Sequence, residues 1–427
     1  MKRQRTYVGF GFGAIQTGLF LHEAFRARAF ERLVVAEILP DLIDAVRQAG
    51  GQFVINIAHA NRVERVNLGP VELEDTAIEA DRQRLIAAIA EAEEMGTAIP
   101  SVKDYASDKP GSVHRLLAAG LRRKVAQDGP RAVIYTAENH NHAAEILEEN
   151  VMAEIPANEH AAVRARVRFL NTVIGKMCRN ITDLVEIGAS QLATATPAIQ
   201  RAYLSEAFNR ILISKVQFDG PPPFVRGIQI FAEKDDLLPF EEAKLYGHNA
   251  TQALAAYIGA AAGLSRIADI LDMPGVRPFL RAAILTESGG ALIRKYQGLD
   301  PLFTPEGYQE FADDMLDRMA NRYLQDTVER VGRDPARKLD WDDRLVGTMR
   351  LALSQGITPR RYAFGAAAAL AMLSGGDASA EDVLYPLWRH ASPAPGEQKA
   401  VLDLIEEARS RLKQWQEAGY PALEGYF

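Results

Sequence analysis

The chain has 427 residues, of which 48% are hydrophobic and 25% charged, and this composition excludes a disordered, collagen-like or disulfide-stapled protein. Its 49 basic and 56 acidic side chains give a net charge of -7 that is spread along the sequence, which argues against a general nucleic-acid binder. The single cysteine, Cys178, can form neither an internal disulfide nor a multi-cysteine metal site, and we expect a cytoplasmic protein.

Short β-branched runs alternate with helical patterns over about the first 150 residues. The runs are Tyr7 to Phe10, Leu33 to Ala36, Phe53 to Ile57 and Val133 to Thr136. This alternation predicts an α/β domain whose mostly parallel sheet has helices on both faces. Residues 52 to 73 instead interleave polar and apolar side chains, which predicts a small antiparallel insertion.

The second half of the chain has a different pattern. From about Lys244 onward apolar residues recur at three- and four-residue spacing, which predicts a mainly α-helical domain. The segment Phe218 to Arg226 contains three consecutive prolines that no regular element tolerates, so we predict domains at 1–215 and 216–427. The apolar run Phe364 to Leu373 is too short to span a membrane, and the first residues do not have the pattern of a signal peptide.

A glycine-rich turn, Gly9 to Gly18, follows the first predicted strand and opens a helix. Glycines let the backbone approach a pyrophosphate, whose charge a helix N-terminus stabilises. The strict G-x-G-x-x-G spacing fails because Gln16 stands where the third glycine belongs, so a plain glycine-rich turn remains the alternative. The candidate cofactor-binding residues of this turn are Gly11, Gly13, Ala14, Ile15 and Gln16.

Glu37 ends the second predicted strand. An acidic side chain there accepts hydrogen bonds from the adenosine ribose hydroxyls and repels a 2′-phosphate, so its position favours NAD over NADP as the cofactor. The alternative is that Glu37 is a surface acid preceding the helix that contains Asp41 and Asp44.

Four polar residues would share one face of a regular helix. At about 100° per residue, Lys244, His248, Gln252 and Asn249 point at about 0°, 40°, 80° and 140°. Packing against an alanine-rich helix disfavours the charged form of a lysine, and the resulting low pKa suits a general base. The amide of Asn249 is placed to donate to an oxygen that gains negative charge in the transition state. A solvated lysine at a helix start is the alternative.

The histidines give two further hypotheses. His248 lies one turn from both Lys244 and Gln252, so it either titrates near the site or simply packs in the fold. His140 and His142 follow a predicted strand without a carboxylate-rich or cysteine partner, so we expect no metal site.

These motifs resemble the polyol-specific long-chain dehydrogenases and reductases, the mannitol dehydrogenase family. The matching pieces occur in the family's order: the glycine turn, Ala137 to Asn139, Phe169 to Ile174, the Lys244 helix, Glu287 to Gly289 and Asn321 to Leu339. The last piece looks most like the branch that acts on mannitol phosphate. The resemblance implies an N-terminal Rossmann-type domain that binds NAD, followed by a helical substrate domain.

The activity that the resemblance implies is metal-independent hydride transfer between NAD and a secondary alcohol of a polyol or polyol phosphate. In this family the general acid and base falls on Lys244, and the oxygen-stabilising amides fall on Asn249 and Asn171. Arg318 matches a substrate-contacting arginine.

Cofactor contacts follow from the same resemblance. Glu138 and Asn139 would lie near the nicotinamide ribose, and Thr97 is a further candidate cofactor-binding residue. The implied partner is a small polyol or sugar phosphate rather than a nucleic acid or a membrane, and the oligomeric state is not predicted.

Two departures from the family pattern concern the substrate. Gln252 replaces the family histidine, and Gln325 replaces a frequent lysine; glutamine can hydrogen-bond a substrate hydroxyl but cannot titrate. The alternatives are therefore an enzyme of an unphosphorylated polyol or a hexuronate, or a weakly active NAD-binding homologue. Cations that suit either a substrate phosphate or structural salt bridges are Arg318, Arg322, Arg330, Arg333, Arg337 and Lys338.

Overall fold

The computed structural model describes residues 5–208, 210–375 and 378–427. Its contacts divide the chain into two compact units, Met1–Leu238 (unit 1) and Pro239–Phe427 (unit 2). No helix within these described ranges is long and apolar enough to cross a membrane.

The described strands all lie in unit 1. They are β1 (Thr6–Phe10), β2 (Arg32–Glu37), β3 (Phe53–Ala58), β4 (Val63–Leu68), β5 (Glu72–Asp75), β6 (Glu94–Thr97), β7 (Ala132–Thr136), β8 (Val167–Leu170), β9 (Thr172–Ile174), β10 (Cys178–Ile181), β11 (Ala202–Glu206), β12 (Ile211–Ser214) and β13 (Ala232–Lys234).

The α-helices of unit 1 are α1 (His22–Ala27), α2 (Pro40–Gln48), α3 (Glu79–Glu91), α4 (Val113–Ala126), α5 (Ala143–Ala153), α6 (His160–Arg164) and α7 (Leu184–Ala189). Helix α8 (Leu238–Glu242) begins at the last residue of unit 1, and those that follow in unit 2 are α9 (Ala250–Ala261), α10 (Ile267–Leu271), α11 (Val276–Ala282), α12 (Gly289–Lys295), α13 (Pro305–Met319), α14 (Val328–Gly332), α15 (Pro335–Lys338), α16 (Val346–Ser354), α17 (Arg360–Ser374), α18 (Ala380–Leu387) and α19 (Glu397–Glu417). Wide π-helical turns occupy Gln16–Leu21, Ala243–Asn249 and Ala283–Ser288. Single 3-10 turns occupy Val102–Asp104, Ala157–Glu159, Pro301–Phe303, Arg322–Leu324 and Leu423–Tyr426.

The main sheet of unit 1 has the order β5-β2-β1-β6-β7-β8, and every neighbouring pair in it is parallel. Taken in chain order, its strands are arranged third, second, first, fourth, fifth, sixth, which is the order of a Rossmann-type sheet. Strand β1 is buried on both faces because its side chains alternate between two apolar clusters: Tyr7 packs into one, and Val8 and Phe10 pack into the other. The predicted α/β Rossmann-type architecture with a helical C-terminal part is confirmed.

Two smaller sheets accompany the main one. Strands β3 and β4 pair antiparallel within the order β10-β11-β3-β4, as the alternation over residues 52 to 73 predicts. The predicted insertion is too long, because Glu72–Asp75 joins the main sheet as β5. The prediction that Phe53 to Ile57 belongs to the main parallel sheet is also wrong, because this run forms β3 of the smaller sheet. Between β10 and β11 the Sγ atom of Cys178 lies 2.9 Å from the hydroxyl of Ser205, and burial raises the pKa of this thiol to about 11.

The observed division between the units lies after Leu238, not after residue 215. The proline-rich segment stays with unit 1 because β12 pairs with β13 on its far side. The guanidinium of Arg131 donates to the carbonyls of Gly220 at 3.1 Å and Pro222 at 2.8 Å. An irregular segment is therefore held to unit 1 by hydrogen bonds that the sequence pattern does not reveal.

A buried carboxylate also ties this segment to the sheet. Glu94 is fully buried, and it accepts hydrogen bonds from the Tyr135 hydroxyl at 2.8 Å, from the backbone N–H of Ile228 at 3.3 Å and from that of Gly227. Burial raises the pKa of Glu94, and the positive charge of Arg5 opposes that rise. The segment before β13 is thus fastened to the start of β6.

Unit 2 is built around α9, whose alanines allow close packing by neighbouring helices. A Cβ atom added at Gly365 of α17 would lie 2.6 Å from the Leu254 side chain, and one added at Gly259 would lie 2.2 Å from Ile270. The run Phe364 to Leu373 lies within α17. The described part of unit 2 is helical, as its apolar spacing predicts.

Candidate functional site

Most of the predicted cofactor residues lie at the carboxyl edge of the parallel sheet. The glycine turn follows β1, Glu37 ends β2, Thr97 ends β6 and Glu138 follows β7. The strand order reverses between β1 and β6, and ligands of such sheets bind outside the carboxyl ends of the strands at this reversal. The sheet topology therefore brings together residues that are up to about 130 positions apart in the sequence.

The glycine turn has a backbone that only glycine permits. Gly11 has φ +81°, its N–H donates to the carbonyl of Ala36 at 2.8 Å, and an added Cβ would lie 2.9 Å from the carbonyl oxygen of Ala98. Around Gly13 an added Cβ would approach nothing closer than 3.6 Å, so the turn is open at that position. Gly11, Gly13 and Ile15 are half-buried, whereas Ala14 is buried. The open backbone at this turn suits the approach of a phosphate to a helix start.

The side chain of Gln16 points away from this open edge. It is fully buried, its Nε2 donates to the hydroxyl of Tyr7 at 2.9 Å, and a Cβ at Gly9 would lie 2.3 Å from that nitrogen. The glycine at position 9 therefore makes room for Gln16. Gln16 can reach a cofactor through its backbone only.

Glu37 is buried and holds the turn through its carboxylate. One oxygen accepts the N–H of Phe12 at 2.7 Å, and the other accepts the N–H groups of Ile38 at 2.6 Å and Leu39 at 3.1 Å. Glu37 is therefore not a surface acid, which was the alternative interpretation of this residue. A carboxylate has about four acceptor positions, so Glu37 retains capacity for a ribose hydroxyl. The side chains of Ile38 and Leu39 beside it are exposed and apolar.

Thr97 and Glu138 connect the ends of β6 and β7. The Thr97 hydroxyl donates to Glu138 at 2.8 Å, the N–H of Ile99 donates at 2.9 Å, and the Tyr105 hydroxyl also donates to this carboxylate. Burial raises the pKa of Glu138, and these donors oppose the rise. Glu138 therefore links the ends of β6 and β7 by hydrogen bonds, while the adjacent Asn139 is exposed. Tyr105, the remaining member of this cluster, carries no sequence motif that identifies it.

Asn171 follows β8 and fixes the start of α5. Its Oδ1 accepts the N–H of Ala144 at 2.9 Å, and its Nδ2 donates to Glu145 at 2.8 Å. The second hydrogen of Nδ2 is in principle available to another acceptor. The resemblance placed an oxygen-stabilising amide at this position, and in the structure the amide is oriented by α5.

Lys244 lies in unit 2, in the wide turn Ala243–Asn249 between α8 and α9. The N–H of Ala250 bonds to the carbonyl of Leu245, five residues back. The prediction of a regular helix at about 100° per residue is therefore wrong here, because an i→i+5 turn accommodates an extra residue. Lys244 and Asn249 are half-buried, whereas His248 is buried.

The electrostatic surroundings of Lys244 suit a proton-transferring group. Burial lowers its pKa to about 8; the negative charge of Glu241 opposes this shift and the positive charge of Arg344 adds to it. Burial, with the positive charges of Arg318 and Lys244, lowers the pKa of His248 to about 3. An imidazole with a pKa lowered in this way is neutral near neutral pH, which favours the packing alternative for His248.

Arg318, at the end of α13, acts electrostatically on the same group of residues. Its guanidinium lies 3.6 Å from the Asp314 carboxylate, and its side chain is 12% exposed. Gln252, on the first turn of α9, is half-buried. The structure thus brings Lys244, His248 and Arg318 into electrostatic contact, and Arg344 joins them without having been predicted.

Several of the candidate cations form structural contacts, the second of the two alternatives given for them. Arg330 forms a bidentate pair with Asp326 at 2.7 and 2.8 Å, and Arg322 pairs with Asp269 and Asp272. The ammonium of Lys338 is buried and donates to a backbone carbonyl. The side-chain oxygen of Gln325 accepts from Arg266 at 2.6 Å.

Among the described residues, no group of three or more histidine, cysteine, aspartate or glutamate side chains is arranged to hold a metal ion. The rings of His140 and His142 are 6.2 Å apart at an edge-to-face angle.

Both units of the chain are similar to known proteins. Residues 236–416 match the family described as the mannitol dehydrogenase C-terminal domain. The chain is 29% identical over 360 residues to a mannitol-1-phosphate 5-dehydrogenase of Bacillus licheniformis, covering 84% of this chain and 86% of that protein.

Two solved structures share the fold at low sequence identity. A substrate-free D-sorbitol dehydrogenase has a TM-score of 0.73 and 13% identity, covering 99% of this chain and 97% of its own. Mannitol 2-dehydrogenase of Pseudomonas fluorescens, solved as a ternary complex with NAD and D-mannitol, has a TM-score of 0.66 and 15% identity over 96% and 92% of the two chains. These findings agree with the resemblance that the motifs indicate: residues 236–416 match the mannitol dehydrogenase C-terminal domain, and the two solved structures share the fold.

Proposed function

We propose that this protein is an NAD-dependent oxidoreductase that transfers hydride between the nicotinamide and a secondary alcohol of a polyol or polyol phosphate. The observation that carries the proposal is Lys244: it is half-buried, burial lowers its pKa to about 8, and it stands five residues before Asn249 in a wide turn inside the family-matched residues. The named activity of the Bacillus relative and the ligands of the Pseudomonas enzyme support it.

The carboxyl edge of unit 1 fits a dinucleotide. Gly11 allows the tight turn against Ala98, and Gly13 leaves the backbone open where a helix begins. The Glu37 carboxylate would accept the ribose hydroxyls and repel a 2′-phosphate, which is the basis for proposing NAD rather than NADP. When bound, the nicotinamide takes up or returns a hydride.

Side chains of the protein would transfer the proton of the alcohol and stabilise the negative charge of the alkoxide. The neutral amine of Lys244 accepts the proton of the alcohol, which raises the tendency of the alcohol carbon to release hydride. Amide hydrogens of Asn249, and of Asn171 as the family resemblance suggests, would stabilise the alkoxide oxygen. In the reverse direction the ammonium form of Lys244 returns the proton to the carbonyl oxygen.

Cations near Lys244 favour a phosphorylated substrate. Arg318 and Arg344 both act electrostatically on the group around Lys244. Each also has an acidic neighbour, Asp314 and Asp343, so the excess positive charge is small. An unphosphorylated polyol or a hexuronate is therefore the second candidate, and Gln252 would hydrogen-bond a hydroxyl of either substrate.

The test combines a substrate panel with one variant. Polyols, hexose phosphates and hexuronates are assayed by NADH absorbance, and Lys244→Ala is compared with Lys413→Ala, which removes a lysine whose side chain is 77% exposed. We expect Lys244→Ala to lower kcat about a hundredfold or more with NAD affinity nearly unchanged, a usual contribution of a general base. Comparable turnover in Lys244→Ala and Lys413→Ala would contradict the proposed role.

A further inference from the structure

The wide turn that contains Lys244 is braced by side-chain hydroxyls. The Thr251 hydroxyl donates to the carbonyl of Gly247 at 2.7 Å, and this carbonyl also accepts the N–H of Ala250. The Thr348 hydroxyl lies 3.3 Å from the carbonyl of Tyr246 and is shared with the carbonyl of Arg344 on its own helix. Both hydroxyls therefore contact carbonyls of the wide turn. The wide turn is thus stabilised from its own helix and from α16.

A second layer of hydroxyls holds Thr251 in place. The hydroxyl of Tyr362 on α17 lies 2.8 Å from that of Thr251 and 3.0 Å from that of Ser288, and all three residues are fully buried. The carbonyl of Gly247 can only accept, so the single hydroxyl hydrogen of Thr251 is directed to it. Tyr362 must then donate to Thr251. The Ser288 hydroxyl also lies 3.3 Å from the carbonyl of Ile284, to which it can donate, so only the direction of the Tyr362–Thr251 hydrogen bond is determined.

Close packing leaves the turn little freedom to change. A Cβ at Gly247 would lie 2.6 Å from the Tyr308 hydroxyl, and a Cβ at Gly347 would lie 2.8 Å from the ring of Tyr246. The start of α17 is fixed by the buried Glu287, which accepts the N–H groups of Arg361 at 3.0 Å and Tyr362 at 3.2 Å. Tyr362 therefore approaches the turn from a rigid helix end.

The register of the turn decides which side chains face the same way. In an uninterrupted α-helix Lys244 and Asn249 would lie about 140° apart around the axis. In a turn closed by i→i+5 hydrogen bonds, residues five apart lie closer around the axis than in an α-helix. Lys244 and Asn249 are both half-buried there, whereas His248 is buried. A group that stabilises the wide turn thereby stabilises the alignment of the proposed base with the proposed amide donor.

We infer that Tyr362 is a positioning residue, which acts through Thr251 to hold the wide turn that aligns Lys244 with Asn249. This inference rests on the proposed function of those two residues. Tyr362 itself is fully buried, and its effect on turnover is indirect.

Paired variants separate positioning from general stability. Tyr362→Phe and Thr251→Val remove one hydroxyl each with little change of shape, and Thr251→Ser restores the donor. Tyr257→Phe is the matched control. Tyr257 lies on α9, the helix of Thr251, and its buried hydroxyl donates to the carbonyl of Gly332 at 3.0 Å. This variant removes a comparable buried hydrogen bond that does not involve Thr251, Tyr362 or Ser288.

We expect Tyr362→Phe and Thr251→Val to lower kcat about tenfold or more, since small displacements of a reacting group are costly, while KM for NAD stays unchanged. The rising limb of the pH profile of kcat/KM should shift to a higher pH by about half a unit or more, because Lys244 becomes better solvated. Thr251→Ser should recover most of the rate, and Tyr257→Phe should leave the profile in place.

A second measurement does not depend on turnover. The pH dependence of Lys244 modification by an amine reagent, followed by mass spectrometry of its peptide, should shift upward in Tyr362→Phe and not in Tyr257→Phe. Equal kcat and equal Lys244 titration in these two variants would overturn the inference. Failure of the proposed function shows differently, as absence of oxidation of every tested polyol by the unmutated protein.

Discussion

The pH dependence of the reaction tests the proposed base directly. Lys244 has a pKa of about 8, and only its neutral amine can accept the proton of an alcohol. About one tenth of such a lysine is neutral at about pH 7 and about nine tenths at about pH 9. We therefore expect kcat/KM for alcohol oxidation to rise about tenfold between these pH values. Carbonyl reduction needs the ammonium form, so its rate should fall by a similar factor.

The assay measures initial rates in both directions by NADH absorbance, in overlapping buffers at constant ionic strength. Aliquots returned to neutral pH before assay control for inactivation, and Lys413→Ala controls for loss of an unrelated lysine. An oxidation profile that is flat over this range, or one whose limb lies near pH 6, would refute the assignment of the base to Lys244.

Three further results are expected. Glu37→Ala should lower the ratio of kcat/KM for NAD over NADP, because it removes the charge that opposes a 2′-phosphate, and equal use of both cofactors by the unmutated protein would contradict this role. His248→Asn should leave the pH limb in place, because the pKa of His248 is already lowered to about 3; a displaced limb would show that this imidazole does titrate. Glu94→Ala should reduce the free energy of unfolding in urea by about 3 kcal/mol or more, because it leaves the Tyr135 hydroxyl and two backbone N–H groups buried without an acceptor. Glu93→Ala is the control for that experiment, and a loss below about 1 kcal/mol in Glu94→Ala would contradict the reasoning.

The part of the fold that could be predicted is the part that local pattern determines. The sequence correctly placed the glycine turn after the first strand and Glu37 at the end of the second, because both features follow from local pattern. Strand β6 was not predicted because it is short and begins with Glu94, and only the tertiary structure shows that this carboxylate has buried partners. The boundary near residue 215 failed for the same reason, since the proline-rich segment is held by distant residues.

The geometry around Lys244 could not be predicted from helical periodicity. A period of about 100° per residue assumes an uninterrupted α-helix, whereas Lys244 lies in a wide turn closed by an i→i+5 hydrogen bond. The hydroxyls that stabilise this turn come from Thr251 and from Tyr362, which lies more than a hundred positions away. The residue types of the site were thus predictable, but their orientation depends on long-range packing.

The environment of Cys178 makes the protein convenient for spectroscopic labelling. Its thiol is partly buried beside Ser205 with a pKa near 11, so little thiolate is present at neutral pH to react with maleimides or other alkylating reagents. Because the sequence has no other cysteine, a new cysteine at an exposed position would react selectively without prior removal of the native one. One such position in each unit would accept a donor and an acceptor dye, and energy transfer between them would report any change of separation during turnover.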